Sequence, residues 1–440
     1  MNTMQPSAPP HLESTKTTFS SSITKLVVFI CWLAILADGY DLGIYGAVLP
    51  KLLEDNSWAL SPAHAGTIAS YALFGMFIGA ILVGTITDLI GRKWTLVCCL
   101  ALFSITMGLA AIAPSPELFG LSRFIGGIGL GGVIPTASAL TVEYSPQKRQ
   151  SFIYAIMFTG YPLGIVLGAI LSMFMLEDFG WRIMFGIGMI PLLLIPFIVR
   201  YLPESIQFLL SRNRQEEAKQ IRDRFQIELH VRKEIPQTST NIQKKNGFLT
   251  LFSKEYMKAT LLFWTTYIMG MFLIYGLNTW LPQMMRQAGY PLGSSLSFLL
   301  MLNITAAIGA LFAGAIADRI GAKIVISISY LMAAICIGLL TIKPSITIIY
   351  LLIGLAGIGS VGITQILNAY VTQYFPSHIR ATSLGWGLGL GRIGAIAGPV
   401  LVGIIMTMQY DLAWNFYLFS FAGLIAAISV FFIPTNQKRA

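Results

Sequence analysis

Gly84-Thr85-Ile86-Thr87-Asp88-Leu89-Ile90-Gly91-Arg92-Lys93 recurs 230 residues later as Gly314-Ala315-Ile316-Ala317-Asp318-Arg319-Ile320-Gly321-Ala322-Lys323, with glycine, aspartate, glycine and lysine in register. The same offset pairs Tyr45-Gly46 with Tyr275-Gly276. It also pairs Gly127, Gly129 and Gly132 with Gly357, Gly359 and Gly362, and Tyr144 and Pro146 with Tyr374 and Pro376. One offset that carries so many special residues marks an internal duplication. In each copy the glycines suit a tight turn and close helix packing, and the aspartate stands beside cations able to tie two helices together, as a latch would.

Outward from the two copies the chain is dominated by apolar runs. Of its 440 residues, 55% are hydrophobic and 11% charged, against about 25% charged in a soluble domain. A mean hydropathy of +0.72 is too high for one water-soluble core, so the solvent must be lipid. Apolar segments at roughly 23–49, 65–87, 94–113, 118–142, 152–175 and 181–201 predict six spans. A second six follow at 258–281, 296–317, 323–342, 347–372, 382–407 and 413–433. The expected fold is an all-α integral membrane protein of twelve helices in two pseudo-symmetric halves. Halves with the same in-membrane direction are related by an axis along the membrane normal, and sites in such proteins lie at the midplane between them.

The expected organisation is a polar tail (1–21), a first half (22–201), a linker (202–257), a second half (258–433) and a short tail (434–440). The first tail is too polar for a cleavable signal and is read as disordered, leaving the first span as the targeting signal. The linker is rich in charge, with an amphipathic helix expected at Arg214 to Phe225. With the amino terminus inside, 23 of the 29 Lys/Arg fall in inside loops, four (Lys51, Arg182, Arg286, Lys343) in outside loops and two within spans. That bias places both termini and the linker in the cytoplasm. The net charge of +10 is therefore membrane topology rather than a nucleic-acid surface.

The repeated motif resembles the signature of the major facilitator superfamily between its second and third helices. The resemblance extends to Arg123 followed by Gly126, Gly127 and Gly129, to Gly160-Tyr161-Pro162-Leu163-Gly164, and to Pro203-Glu204-Ser205. It covers nearly the whole chain and identifies the superfamily far better than the substrate.

The first span reads Ala37-Asp38-Gly39-Tyr40-Asp41-Leu42-Gly43-Ile44-Tyr45-Gly46. A mid-membrane carboxylate costs roughly 2.5 to 3.5 kcal/mol on the insertion scale, which a structural role seldom requires. Three residues apart, Asp38 and Asp41 share a helix face, so their titration is coupled, and protonation during part of a cycle would relieve the cost. Asp-Gly-x-Asp here resembles the aromatic acid:proton symporters, which implies import of benzoate, hydroxybenzoates or related ring acids. The resemblance carries the acidic pair onto Asp38 and Asp41 as proton-coupling residues, and gate residues onto Gly84, Asp88, Gly91, Arg92, Gly314 and Asp318. Further functional charges match Arg123, Glu143, Arg380 and Arg392. Where some relatives have a histidine after the eighth helix, this chain has Gly321-Ala322-Lys323, so that histidine's role does not transfer.

Arg392 lies well inside the eleventh span, where its planar fork suits a carboxylate; the alternative is an ion pair with a neighbouring helix. Arg123 reads as nearer the cytoplasmic half, with Glu143 as partner, so a gating ion pair and substrate contact stand level. Tyr45, Tyr161, Trp280 and Trp386 stand near glycines in cavity-lining helices, where a flat ring could stack, although each suits plain packing too. Cys31, Cys98, Cys99 and Cys336 read as small hydrophobes. The chain carries no phosphate-binding loop, nucleophilic triad or metal-ligand spacing, so ATP is not the energy source and no enzyme, cofactor or metal is expected. The sequence predicts a monomeric inner-membrane symporter whose partners are protons, a small aromatic carboxylate and the bilayer. Alternatives are a carrier of another organic acid such as muconate, a proton-driven drug exporter, or a receptor that binds without transport.

Overall fold

The computed structural model describes residues 21–146, 149–225 and 247–434, so both terminal tails and the middle of the linker lie outside the described residues. Among the described residues, eleven stretches are helical, long and apolar enough to cross a membrane. One of them, Phe152–Tyr201, has 50 residues, or about 75 Å of helix for a hydrocarbon layer of about 30 Å. It breaks at Gly180, whose φ of 73° an L side chain rarely adopts, and so makes two crossings. Eleven with one counted twice gives twelve. Helices dominate because lipid offers no partner to backbone N–H and C=O groups.

The first half contains α1 (Ser21–Glu54), α2 (Pro62–Ile90), α3 (Arg92–Ala111), α4 (Pro116–Glu143), α5 (Gln150–Phe158), α6 (Gly160–Ile187, with the break) and α7 (Ile190–Tyr201). The linker supplies α8 (Ile206–Ser211), α9 (Gln215–Phe225) and α10 (Gly247–Leu251). The second half contains α11 (Met257–Gln287), α12 (Leu292–Ile320), α13 (Ala322–Leu339), α14 (Ile346–Gly357), α15 (Thr364–Tyr374), α16 (Ser377–Thr407) and α17 (Ala413–Phe431). Several helices outrun their apolar segments at capped starts. Ser61 accepts from the His64 N–H before Pro62, and Ser115 from the Leu118 N–H before Pro116. Between α14 and α15 a π-helical turn, Ile358–Gly362, interrupts what the sequence reads as one span. α9 falls within the helix expected at Arg214 to Phe225.

The duplication recurs in packing. α1 packs on α6 as α11 packs on α16, α2 on α4 as α12 on α14, and α3 on α7 as α13 on α17. Across the halves, α2 meets α16 as α12 meets α6, and α1 meets α11. Both repeated motifs turn at a glycine with positive φ, 92° at Gly91 and 97° at Gly321.

The halves touch on the side away from the linker. There the Ala63 N–H donates to Thr407 Oγ1 (2.8 Å), Ser70 Oγ to the Ile396 carbonyl (2.8 Å), and Arg286 pairs with Glu54. Gly66 lies so close to the Pro399 carbonyl that a Cβ would collide with it. Towards the linker, α2 and α16 diverge and leave a cleft of about 640 Å³ lined by Phe74, Phe77, Ile81, Trp386, Arg392 and Ile393, among others. The seam between the halves is thus closed on the far side and open on the linker side.

Candidate functional site

Asp38 and Asp41 lie midway along α1, 2% and 4% exposed, and the structure gives them different neighbours. Asp41 is ion-paired with Arg123 of α4, whose guanidinium also lies over the rings of Tyr45 (5.2 Å) and Phe185 (5.7 Å). Tyr45 is fixed by donating its hydroxyl to the Ala65 carbonyl (2.6 Å). Asp38 has no such partner. Its Oδ2 is buried and accepts no hydrogen bond, which for a buried polar atom asks for an explanation.

Arg392 of α16 makes no ion pair with Asp38. Instead, Arg392 Nη1 donates to the Tyr275 hydroxyl (3.3 Å), which also receives the Tyr161 hydroxyl at 3.5 Å, the edge of hydrogen-bond range. Three helices from both halves thus converge on Asp38. The space between these groups, walled by Asp38, Asp41, Tyr45, Arg123, Tyr161, Tyr275 and Thr279, is about 10 Å³, room for about one water. An aromatic ring does not fit there. It does fit the adjoining cleft, because about 150 Å³ suffices for benzene and Arg392 lines the wall of that cleft.

Two sequence expectations are corrected. Glu143 is not the partner of Arg123, because both lie on α4 with 20 residues, about 30 Å, between them. Arg123 sits in the half of α4 away from the linker, and Glu143 at the linker end. Trp280 is fully buried and donates its indole N–H to the Pro399 carbonyl (2.9 Å), so it packs the closed side and lines neither cavity. Trp386 does line the cleft, with its ring beside Phe248 (4.6 Å) and Trp264 (6.2 Å). Tyr275 was missed as a site residue; its one signal was its place as the repeat mate of Tyr45.

The linker-side motif residues form a knot in the first half. Arg92 pairs with Glu143 (2.9 Å) and donates to Ser205, whose hydroxyl donates to the same carboxylate (2.6 Å). Glu204 accepts the backbone N–H groups of Lys93 (3.0 Å) and Ser205 (2.8 Å), and Lys93 Nζ donates to the Val199 carbonyl (2.7 Å). A Cβ at Gly91 would meet the Glu204 carboxylate. At the 230-residue offset Arg92, Glu143 and Glu204 become Ala322, Gln373 and Pro434, so the second half keeps only the lysine, Lys323 Nζ to the Ile433 carbonyl (2.6 Å). Asp318 is exposed and has no ion pair among the described residues, and Gly314 has open space beside it. Arg380 is half-buried with its Nε unpartnered. The side chain of Asp88, and the surroundings of Gly84, lie outside the described residues.

A two-halved helical bundle that is closed on one side and open on the other, with buried charges at mid-depth beside the seam between its halves, is the architecture of a membrane transporter. The profile of the Major Facilitator Superfamily matches residues 31–308 and 296–440, and the chain belongs to that superfamily, in its aromatic-acid transporter branch. It is 37% identical over 421 residues to the benzoate transport protein of Acinetobacter baylyi, covering 94% of this chain and 90% of that one. It is 35% identical over 415 residues to the gentisate transporter of Corynebacterium glutamicum, covering 93% and 88%. The partially occluded inward-open xylose transporter XylE of E. coli superposes with a TM-score of 0.74 at 19% identity, over 96% of this chain and all of that one, which speaks for the fold alone.

Proposed function

We propose that the protein is a proton-coupled symporter, not an enzyme, that imports a small aromatic carboxylate such as benzoate or a hydroxybenzoate by alternating access. The observation that carries this reading is the position of Arg392, at the junction of an apolar cleft wide enough for a ring and a buried carboxylate, Asp38, with an unpartnered oxygen. The ring would lie among Phe77, Trp386 and their neighbours, with its carboxylate on Arg392. Asp38 would take the proton, and Asp41, held by Arg123, would keep the local field constant. The names of the relatives support a ring acid as cargo.

Charge arithmetic supports the coupling. Asp38, Asp41, Arg123 and Arg392 carry two negative and two positive charges, which sum to zero. A monocarboxylate entering alone would leave a net charge at the midplane, whereas one accompanied by one proton would not. The chain would sit in a bacterial inner membrane as a monomer with both termini in the cytoplasm, which makes the open side of this structure the inward one. Asp88 and Asp318 would latch that side when it closes; Asp318, unpaired here, fits the open state. Residues 22–201 and 258–433 would be the moving halves and 202–257 their tether.

The test is competition. In reconstituted vesicles, benzoate, 4-hydroxybenzoate or protocatechuate should displace labelled benzoate, and Arg392→Gln should abolish displacement. Displacement by muconate in preference to every ring acid, or by cationic drugs, would move the protein to another carrier class. Saturable binding without uptake would make it a receptor.

A further inference from the structure

Asp38 and Tyr275 line one small pocket with room for about one water, and Arg392, which engages the Tyr275 hydroxyl, makes no ion pair with Asp38, whose Oδ2 is left unpartnered. In a medium of low polarity such opposite charges attract strongly, so something must hold them apart. The structure offers one candidate, the Tyr275 hydroxyl, which engages Arg392 Nη1 and is itself met by Tyr161 from the other half. We propose that Tyr275 is a positioning residue, which tethers Arg392 away from Asp38 so that the arginine stays available to the substrate carboxylate and the aspartate to the proton. The inference rests on the proton-coupled reading above and adds to it the device that keeps the two sites from cancelling each other.

The groups that bear on Asp38 come from five helices. α1 supplies Asp41 and Tyr45, α4 supplies Arg123, α6 Tyr161, α11 Tyr275 and α16 Arg392, while α2 lines the pocket only with Ala69, Ala72, Leu73 and Met76. Arg123 is committed to Asp41, which leaves Arg392 as the cation able to close on Asp38. Without the tether that ion pair would form. It would then have to be broken by acid before a proton bound, and by substrate before the carboxylate bound.

Labelled benzoate uptake into proteoliposomes, measured against external pH for the unmodified protein, Tyr275→Phe and Tyr161→Phe, tests this. Tyr275→Phe should move the midpoint of the pH profile about one to two units towards acid, the worth of a hydrogen bond to a charged group. It should also raise KM near neutrality while leaving the maximal rate in acid unchanged. Tyr161→Phe should shift the profile the same way by less. A uniform loss of rate at every pH, or unshifted profiles in both variants, would overturn the inference. If Tyr275→Phe fails to reach the membrane, the Tyr161→Phe profile decides: a shift supports the tether and no shift refutes it. If the unmodified protein shows no uptake driven by a pH gradient, the functional reading has failed and this inference falls with it.

Discussion

Asp38 and Asp41 differ in what their loss would leave behind. Removing the charge of Asp41 strands Arg123 in a buried position, which costs about 3 to 5 kcal/mol when one partner of a buried pair is deleted. Asp41→Asn should therefore lower the melting temperature in detergent markedly, and Asp41→Asn with Arg123→Met should recover much of the loss without restoring coupled uptake. A single variant as stable as the unmodified protein would show that the pair carries no structural weight. At this scale the ionisable residues were legible, because a charge within an apolar run stands out. Their pairing was not. Which arginine meets which aspartate depends on how α1, α4 and α16 are rotated about their axes, and no spacing along one helix encodes that.

The helices were legible from hydropathy, and so was the turn at Gly91 and Gly321, because only glycine suits their positive φ. The two turns should respond differently to alanine. Both substitutions incur about 1 to 3 kcal/mol for an extended, positive-φ backbone that is essentially reserved to glycine, but Gly91→Ala also pushes on Glu204 and the knot it joins. Thermal melting should show Gly91→Ala as the more damaging, and equal effects would mean the knot is not rigid. The knot itself was only half visible, since Pro203-Glu204-Ser205 reads as a motif while its contacts with Arg92 and Lys93 are made across the bundle. The π-helical turn at Ile358–Gly362 left no hydropathy signal, because it keeps the apolar composition of its span. On the closed side, cysteines at Ala63 and Thr407 should crosslink and stop transport while sparing benzoate binding from the linker side. Unimpeded transport after full crosslinking would show that α2 and α16 need not part there.

The duplication, read first as an offset of 230 residues, reappears as matched helix packing, so the architecture of the whole molecule was the most legible level. Its conformational state was not, since hydropathy marks which segments lie in lipid and not how the two halves tilt against each other. Orientation rests on the distribution of Lys and Arg. A reporter fused after Arg212 should be cytoplasmic and one inserted near Asn56 periplasmic, and the reverse would invert every statement about inward and outward. If the four midplane charges balance as proposed, uptake driven by a pH gradient should be unaffected when the membrane potential is clamped at zero. A strong dependence on potential would require a different stoichiometry.

The central claim, that proton entry at Asp38 drives aromatic acid uptake, is tested most directly by accumulation of labelled benzoate in proteoliposomes under an imposed inward pH gradient, with the unmodified protein and Asp38→Asn side by side. The account predicts accumulation above equilibrium for the unmodified protein, its collapse when the gradient is dissipated, and none in Asp38→Asn, which should still exchange benzoate at equal pH. Accumulation by Asp38→Asn at the unmodified level would contradict it.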